Sequence, residues 1–489
     1  MTIGATLATA AAAYPDKPAF IGSDATLTFA EADARANRFA NALIAAGVGP
    51  GDTVGLIGHN SIEYAIAYFG IARAGAASLH LSARMTPEEI RHCLNTGDAA
   101  AVVGEPDIAA SADLACAVPL SGEGFAAFLS DDETDPRREG PIDAPSSASY
   151  TGGTTGFPKG GMHTARSRLT WATVAHEFFD LTPADVMALA APMGHAAGGF
   201  IWFQPGVCAA ATQVILPGWD VPAFIAATQT HGVTATFLVP AQIHMLIEHP
   251  DFDPARLTNL KKIVYGGAPS PAGLIERADD LLPDCDFIQN YGMTEIGPLV
   301  TLYKADRDKY PGAIGHPTKH TECAIFVSPG REAAVGEIGE LCFRGPTLMQ
   351  GYVGDPEQTA EFYRTDDGWG WTGDLAIRNE DGVISLVGRS KDIIISGGLN
   401  VYPAEIERVL VDIPGVLECA VFGLPDETFG ELPAVAIVTD RTMTADDVLA
   451  ACGDRIARHK RPRRIEFMDA LPKSPAGKVL RTELRQRFQ

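Results

Sequence analysis

The sequence has no long apolar run, no clustered cysteines and few positive charges, and each shortage closes off a class of function. No window approaches the ~18 uninterrupted apolar residues of a membrane span. Residues 1–13 are Ala-rich but lack the basic start of a signal peptide. The eight cysteines, at 93, 116, 208, 285, 323, 342, 419 and 452, form no Cys-x-x-Cys pair and have no histidine cluster beside them. That pattern excludes a disulfide framework and a zinc site and suits a reducing compartment, so a cytoplasmic protein is expected. Only 38 Lys and Arg stand against 61 Asp and Glu, a net charge of −23 with a pI near 4.9. Such a surface speaks against nucleic acid or an anionic membrane as the main partner. Internal repeats, coiled-coil heptads and low-complexity tracts are missing too. What is present is 489 residues with 46% hydrophobic and 20% charged content, enough for a large domain and a smaller one.

Hydrophobic periodicity gives the order of elements. A helical pattern over 29–46 stops at Gly47, a buried strand is expected over 52–57, a helix over 61–74, and helix and strand again over 87–103. Residues 104–148 have little periodicity beyond a short helix near Phe125. Alternation resumes with helices at 171–179 and 222–231 and strands at 212–216, 234–238 and 262–265, the signature of βα units on largely parallel sheets. From 310 to 388 short β segments (324–327, 339–343, 382–387) take over, read as an all-β subdomain. After Gly388 come helices at 404–411 and 445–458 and strands at 417–422, 434–438 and 463–467. The expected architecture is α/β: a large N-terminal domain of βα subdomains plus a β subdomain (1–388), followed by a small α+β domain (389–489).

The chemistry begins at Tyr150 to Gly160, Tyr-Thr-Gly-Gly-Thr-Thr-Gly-Phe-Pro-Lys-Gly. Glycine permits close backbone approach, so successive N–H groups of Gly152, Gly153 and Gly156 can face one anion. Thr151, Thr154 and Thr155 add hydroxyls, Thr155 near a magnesium ion, and Lys159 adds positive charge. This is not a Walker A loop, because Phe157-Pro158 precedes Lys159 and Gly160 follows it. Downstream, Asn290-Tyr-Gly-Met-Thr-Glu295 offers Tyr291 to cover a flat base, Thr294 to donate and Glu295 to hold magnesium. Asp374, in Trp371-Thr-Gly-Asp, suits a ribose with help from Arg389.

In this order the motifs resemble the AMP-forming adenylating enzymes: acyl-CoA synthetases, luciferases and peptide-synthetase adenylation domains. The resemblance spans about residues 25–480 and implies ATP, Mg2+ and CoA as cofactors. It makes Gly267, Ala268 and Pro269 the adenine-side segment and sets Asn290, Tyr291, Gly292 and Met293 on the nucleotide. Lys391 becomes the hinge about which the small domain rotates, and Gly397 and Gly398 the turn that meets pantetheine. Lys478, in Pro472-Lys-Ser-Pro-Ala-Gly-Lys, becomes the catalytic lysine, and His195 the acyl-pocket histidine. Two departures stand out: Ala165 where the family often has His, and small residues around His195, which hint at a roomier pocket.

Residues 190–203 hold no acid for an α-amino group and no Arg or Lys for a short dicarboxylate, whereas Phe200, Trp202, Phe203, Phe237 and Val239 are apolar. A fatty or aromatic monocarboxylic acid is therefore expected, ligated to CoA with release of AMP and pyrophosphate. An acyl-AMP ligase serving a carrier protein, a luciferase-like oxygenase and an inactive binding relative remain alternatives, the last made less natural by the presence of Lys159, Glu295 and Lys478. Arg166, Arg168 or Arg461 would meet the CoA 3′-phosphate. A homodimer is one possible assembly.

Overall fold

Two sheets enclose a shared layer of helices, because both contain strands that are apolar on each face and must be covered twice. The computed structural model describes residues 2–112, 114–151, 157–271, 273–473 and 479–489, without the Asp454 side chain. In the seven-stranded sheet, Thr53–Ile57, Ala77–Leu81, Ala99–Gly104 and Cys116–Pro119 run parallel beside Pro145–Thr151. Lys159–Thr164 returns antiparallel to Pro145–Thr151, and Gly351–Tyr352 forms the edge. The fourteen-stranded sheet has a parallel centre, Val186–Leu189, Thr212–Ile215, Ala235–Leu238, Lys262–Gly266 and Asp286–Met293. It turns antiparallel at the hairpin of Asp286–Met293 and Gly297–Leu302.

Helices Ile3–Ala13, Phe29–Ala45, Ile62–Arg73 and Ala165–Phe179 lie between the sheets, in one core with Val54 and Val103 from one sheet and Leu189 and Val264 from the other. Their starts are fixed locally: Thr28 and Glu31 form a capping box, and Thr164 accepts from Ser167 N as an N-cap. Among the described residues, no helix is long and apolar enough to cross a membrane.

The short β segments after residue 310 are not a separate sheet. Ala313–Pro317 pairs with Gly297–Leu302 on one side and Ile384–Arg389 on the other, so they extend the large sheet edgewise. The stretch 104–148 is also more regular than its composition suggests, with helix Pro106–Ser111, strand Cys116–Pro119 and helix Gly122–Phe128. The last part of the chain builds its own five-stranded sheet from Ile394–Ser396, Leu399–Val401, Val416–Asp426, Gly430–Thr439 and Arg464–Phe467. Helices Pro403–Leu410 and Ala445–Cys452 share one core cluster with it, and Arg481–Phe488 contributes Leu484 to a second. The helix expected over 445–458 ends at Cys452, because Gly453 takes φ 19° and ψ −128°, which a side-chain residue resists.

Ala313–Pro317 joins the two halves of the large sheet through Gly315, at φ +109° with a built Cβ only 1.9 Å from the Thr301 carbonyl oxygen. Gly315→Ala is expected to cost about 2–4 kcal/mol, read as a lower urea midpoint at unchanged slope.

Candidate active site

The large sheet changes from parallel to antiparallel pairing at Asp286–Met293, and the carboxyl ends of its parallel strands are the usual place for a ligand in such sheets. Three motif segments meet there. Gly266 closes the strand Lys262–Gly266, and a Cβ on it would lie 2.1 Å from the Asn290 carbonyl oxygen, so only glycine lets these strands approach. Gly267 follows at φ +78°, and Gly267, Ala268 and Pro269 are exposed. Next door, Gly292 faces the Gly297 carbonyl at 2.0 Å from a built Cβ, and buried Asn290 donates Nδ2 to the Val300 carbonyl at 3.2 Å.

Glu295 leaves this hairpin as a half-buried carboxylate whose Oε1 accepts from the Tyr352 hydroxyl at 2.7 Å. Its backbone carbonyl accepts from Met349 N at 2.9 Å. Burial, and next to it the Glu295 charge, push the Tyr352 phenol well above its ordinary value, so it stays a donor. One oriented carboxylate suits Mg2+, which takes one or two carboxylates and completes its shell with phosphates and water. Among the described residues no group of three or more His, Cys, Asp or Glu is placed to hold a metal by itself.

Buried Thr294 offers its carbonyl to His163 Nε2 at 2.7 Å, and His163 Nδ1 meets the Ser167 hydroxyl at 2.6 Å. Burial, then the Arg168 charge, hold this imidazole well below its ordinary pKa, so it is neutral. Nε2 must then carry the proton to reach a carbonyl, and Nδ1 accepts from Ser167. The Thr347 carbonyl beside Ser167 is already served by Trp171 Nε1 at 2.7 Å. Sequence reasoning missed His163, Ser167 and Tyr352, because their partners lie far along the chain.

Strand Lys159–Thr164 brings Thr151 opposite Lys159, whose Nζ donates to Gln358 Oε1 at 2.6 Å. Gly160 lies flat on the ring of Tyr150, 2.7 Å from a built Cβ to Cζ. The loop between, Gly152, Gly153, Thr154, Thr155 and Gly156, lies outside the described residues, and so does Lys478. Val479, immediately after Lys478, bridges to Lys473.

Asp374 and Arg389 face each other across adjacent strands, with Arg389 Nε 2.8 Å from Asp374 Oδ1. The other oxygen accepts from the Tyr291 hydroxyl at 2.6 Å, and the carboxylate is only 8% exposed. Burial, then Asp374, raise the Tyr291 phenol well above its ordinary value. Tyr291 thus ties the Tyr-Gly-Met-Thr-Glu hairpin to the Thr-Gly-Asp strand, a link not foreseen for a residue read only as a cover for a base. Thr372 positions the turn, its hydroxyl accepting from Asp374 N at 3.1 Å.

His195 is exposed, and its Nδ1 accepts from Ala197 N at 3.3 Å at the start of a π-helix, Ala197–Phe203. The small residues that follow do not widen a pocket. A Cβ on Gly198 would lie 2.2 Å from the Pro192 carbonyl oxygen and one on Gly199 2.4 Å from that of Met193, so both are small because backbone packs on backbone. Phe200, Trp202, Phe203 and Phe237 are buried in the core, and Val239 packs partly buried against it. Arg168 is wholly buried and offers no surface to a CoA phosphate. Arg166 pairs with Asp143 at 2.6 Å, while Arg461 donates Nε to the Ile456 carbonyl at 3.1 Å and Nη2 to that of Gly453. Further on, Lys391 is exposed in a short 3₁₀ turn, Ser390–Asp392, and Gly397 (φ +60°) and Gly398 (φ +77°) form the two-residue turn of a hairpin.

Comparison with known proteins shows the family. Residues 7–353 match the AMP-binding enzyme family and 405–478 its C-terminal domain. The chain is 38% identical to a feruloyl-CoA synthase of an Amycolatopsis species, over 94% of each chain. It is 35% identical to the fatty acid–[acyl-carrier-protein] ligase ScoC of Streptomyces coeruleorubidus, over 97% of this chain and 94% of that one. ATP-bound MatB from Rhodopseudomonas palustris superposes with a TM-score of 0.90 at 28% identity, over 100% of this chain and 99% of the other. The chain belongs to the AMP-binding enzyme family, as an enzyme of the AMP-forming acyl-CoA synthetase class.

Two predictions follow from the geometry. Asp374→Ala strands both Arg389 and Tyr291 and is expected to raise the KM for ATP by roughly 10–100-fold with a smaller change in the KM for the acid. Burial also lowers His80 to about 3, and like His163 it stays neutral in the folded chain. Below the ordinary histidine pKa of 6.5 the unfolded chain takes up protons that these two side chains refuse, so stability falls as pH falls through that value. Each contributes about 1.4 kcal/mol per pH unit over that acid range. Urea unfolding at about pH 7 and pH 5 checks this, and His163→Gln should remove one proton's worth of the slope.

Proposed function

We propose that this chain activates a largely apolar monocarboxylic acid, fatty or aromatic, as its adenylate and passes the acyl group to CoA. The observation that carries the reading is the buried Asp374 carboxylate, held by Arg389 and by Tyr291, which stands in the same hairpin as Glu295. Asp374 would accept from both ribose hydroxyls, with adenine beside Gly267, Ala268 and Pro269. The triphosphate would lie along the loop between Thr151 and Lys159, with Thr155 and Glu295 on either side of Mg2+. When bound, the metal supplies charge neutralisation at the phosphates.

The acid carboxylate is a poor electrophile until its oxygen has a good leaving group. Attack of that oxygen on the α-phosphorus forms a mixed anhydride and expels pyrophosphate. Lys159 and the loop N–H groups would stabilise charge on the departing phosphates, and Lys478 the charge at the reacting centre. In the second step a thiolate attacks the acyl carbon and AMP leaves. We assign the small domain to residues 389–489, with Lys391 as the hinge that withdraws Lys478 and brings Gly397 and Gly398 to the pantetheine arm. The eight cysteines, all free in the fold, suit work in a reducing cytoplasm.

A carrier-protein acceptor is the second reading, favoured by the likeness to ScoC. The test is AMP formation from ATP and magnesium with a panel of carboxylic acids, each with and without CoA. Acyl-CoA and AMP formed together support the CoA ligase. Pyrophosphate released without any acyl-CoA moves the acceptor to a carrier protein. Glu295→Gln is expected to lower kcat by roughly 10²–10³-fold, and Lys478→Ala to slow adenylate formation by a similar factor.

A further inference from the structure

Arg168 is the one wholly buried cation in the helix layer that stands without a carboxylate among the described residues. Its Nε donates to Ser147 Oγ at 2.7 Å, while Nη2 has only long contacts to Ser149 Oγ at 3.4 Å and the Ser147 carbonyl at 3.5 Å. Nη1 has no partner. The guanidinium lies on aromatic faces instead, 3.6 Å from the Phe200 ring centre and 4.4 Å from that of Trp171. Four residues after Phe200, Gln204 is also wholly buried and its Nε2 has no partner. Its Oε1 is taken by the Tyr68 hydroxyl at 3.0 Å, and the Tyr68 ring stands edge-on to Phe200 at 5.8 Å.

Two orphaned donors around one ring are costly, since a buried donor without an acceptor forfeits about 1–3 kcal/mol and a buried charge more. Arg and the Gln amide nitrogen can only donate, so what the cluster lacks is an acceptor. Phe200 belongs to the π-helix that begins two residues after His195, which puts the donors behind the segment that the resemblance gives to the acid.

We propose that Arg168 and Gln204 form a distal donor subsite that selects acids carrying an acceptor oxygen at the end remote from the reacting carboxyl. This rests on the acid-activating reading above and narrows its substrate class to an apolar monocarboxylic acid with one acceptor oxygen at its tip, an ether or phenol on a ring or an ether on a chain.

The test compares matched acids that differ only at the tip, para-methoxycinnamic against para-methylcinnamic acid on a ring, and 8-methoxyoctanoic against decanoic acid on a chain. kcat/KM for acyl-CoA formation and thermal shift in the presence of AMP are measured on the wild type, Arg168→Met and Gln204→Leu. The oxygen-bearing member of at least one pair is expected to lead by about tenfold or more in the wild type, because a site with unpaired donors rejects the analogue that lacks their partner. Each variant should bring that ratio near parity without loss on the apolar member. Arg168→Met should melt no lower than the wild type, since it removes an unpaired buried charge. Parity in the wild type, or a preference that survives both variants, overturns the subsite and leaves the donors to a buried water. So does an Arg168→Met protein that melts lower with its preference intact, which would make Arg168 a structural strut. Acyl-CoA formed from neither pair nor any other acid defeats the ligase reading instead, and the thermal shifts still read the subsite.

Discussion

The His163 imidazole is the joint on which the ATP side of the site depends. It stands on the strand Lys159–Thr164 and donates to the carbonyl of Thr294, the residue just before Glu295. One hydrogen bond thus fixes the hairpin that carries Glu295 in one sheet against the hairpin of Pro145–Thr151 and Lys159–Thr164 in the other. Its neutrality is part of the arrangement. A protonated ring would need an acceptor at both nitrogens, in a place where Arg168 already lies close and water is excluded. Ser167, on the first turn of the following helix, completes the joint and is held by its own backbone bond to the Thr164 cap.

The site also resolves a conflict in charge. A chain with a net charge of −23 must bind ATP and CoA, both polyanions. Arg389 and Lys159 are each bound to a neighbour, Asp374 and Gln358, that fixes where the cation points. Tyr352 does the same for the Glu295 carboxylate, fixing where its oxygen points. Local orientation, not overall charge, decides affinity at such a site.

Much of this was legible in the sequence wherever close approach demands glycine. Gly266 and Gly292 each face a carbonyl that leaves no room for a Cβ; Gly292 sits inside a motif that sequence reading singled out, and Gly266 directly precedes another. Asp374 and Arg389 were paired correctly because each stands in its own motif and their strands are adjacent. His163 was not legible, since its partner is 131 residues away and imidazole next to threonine is no motif. Nor was the seam through Ala313–Pro317: short β segments look alike whether they close a separate barrel or lengthen a sheet. The glycines near His195 misled, because small residues pack backbone on backbone as readily as they open space.

The π-helix after His195 has a consequence for how this protein can change. A π turn is an α-helix with one residue inserted, and excising that residue restores the regular repeat. A single-codon deletion at 201–203 would change the angle between Phe200 and Gln204 about the helix axis. No point substitution re-aims so many side chains at once. Losing one residue there is therefore the smallest change in length that re-registers the whole segment, with the rest of the sequence left as it is.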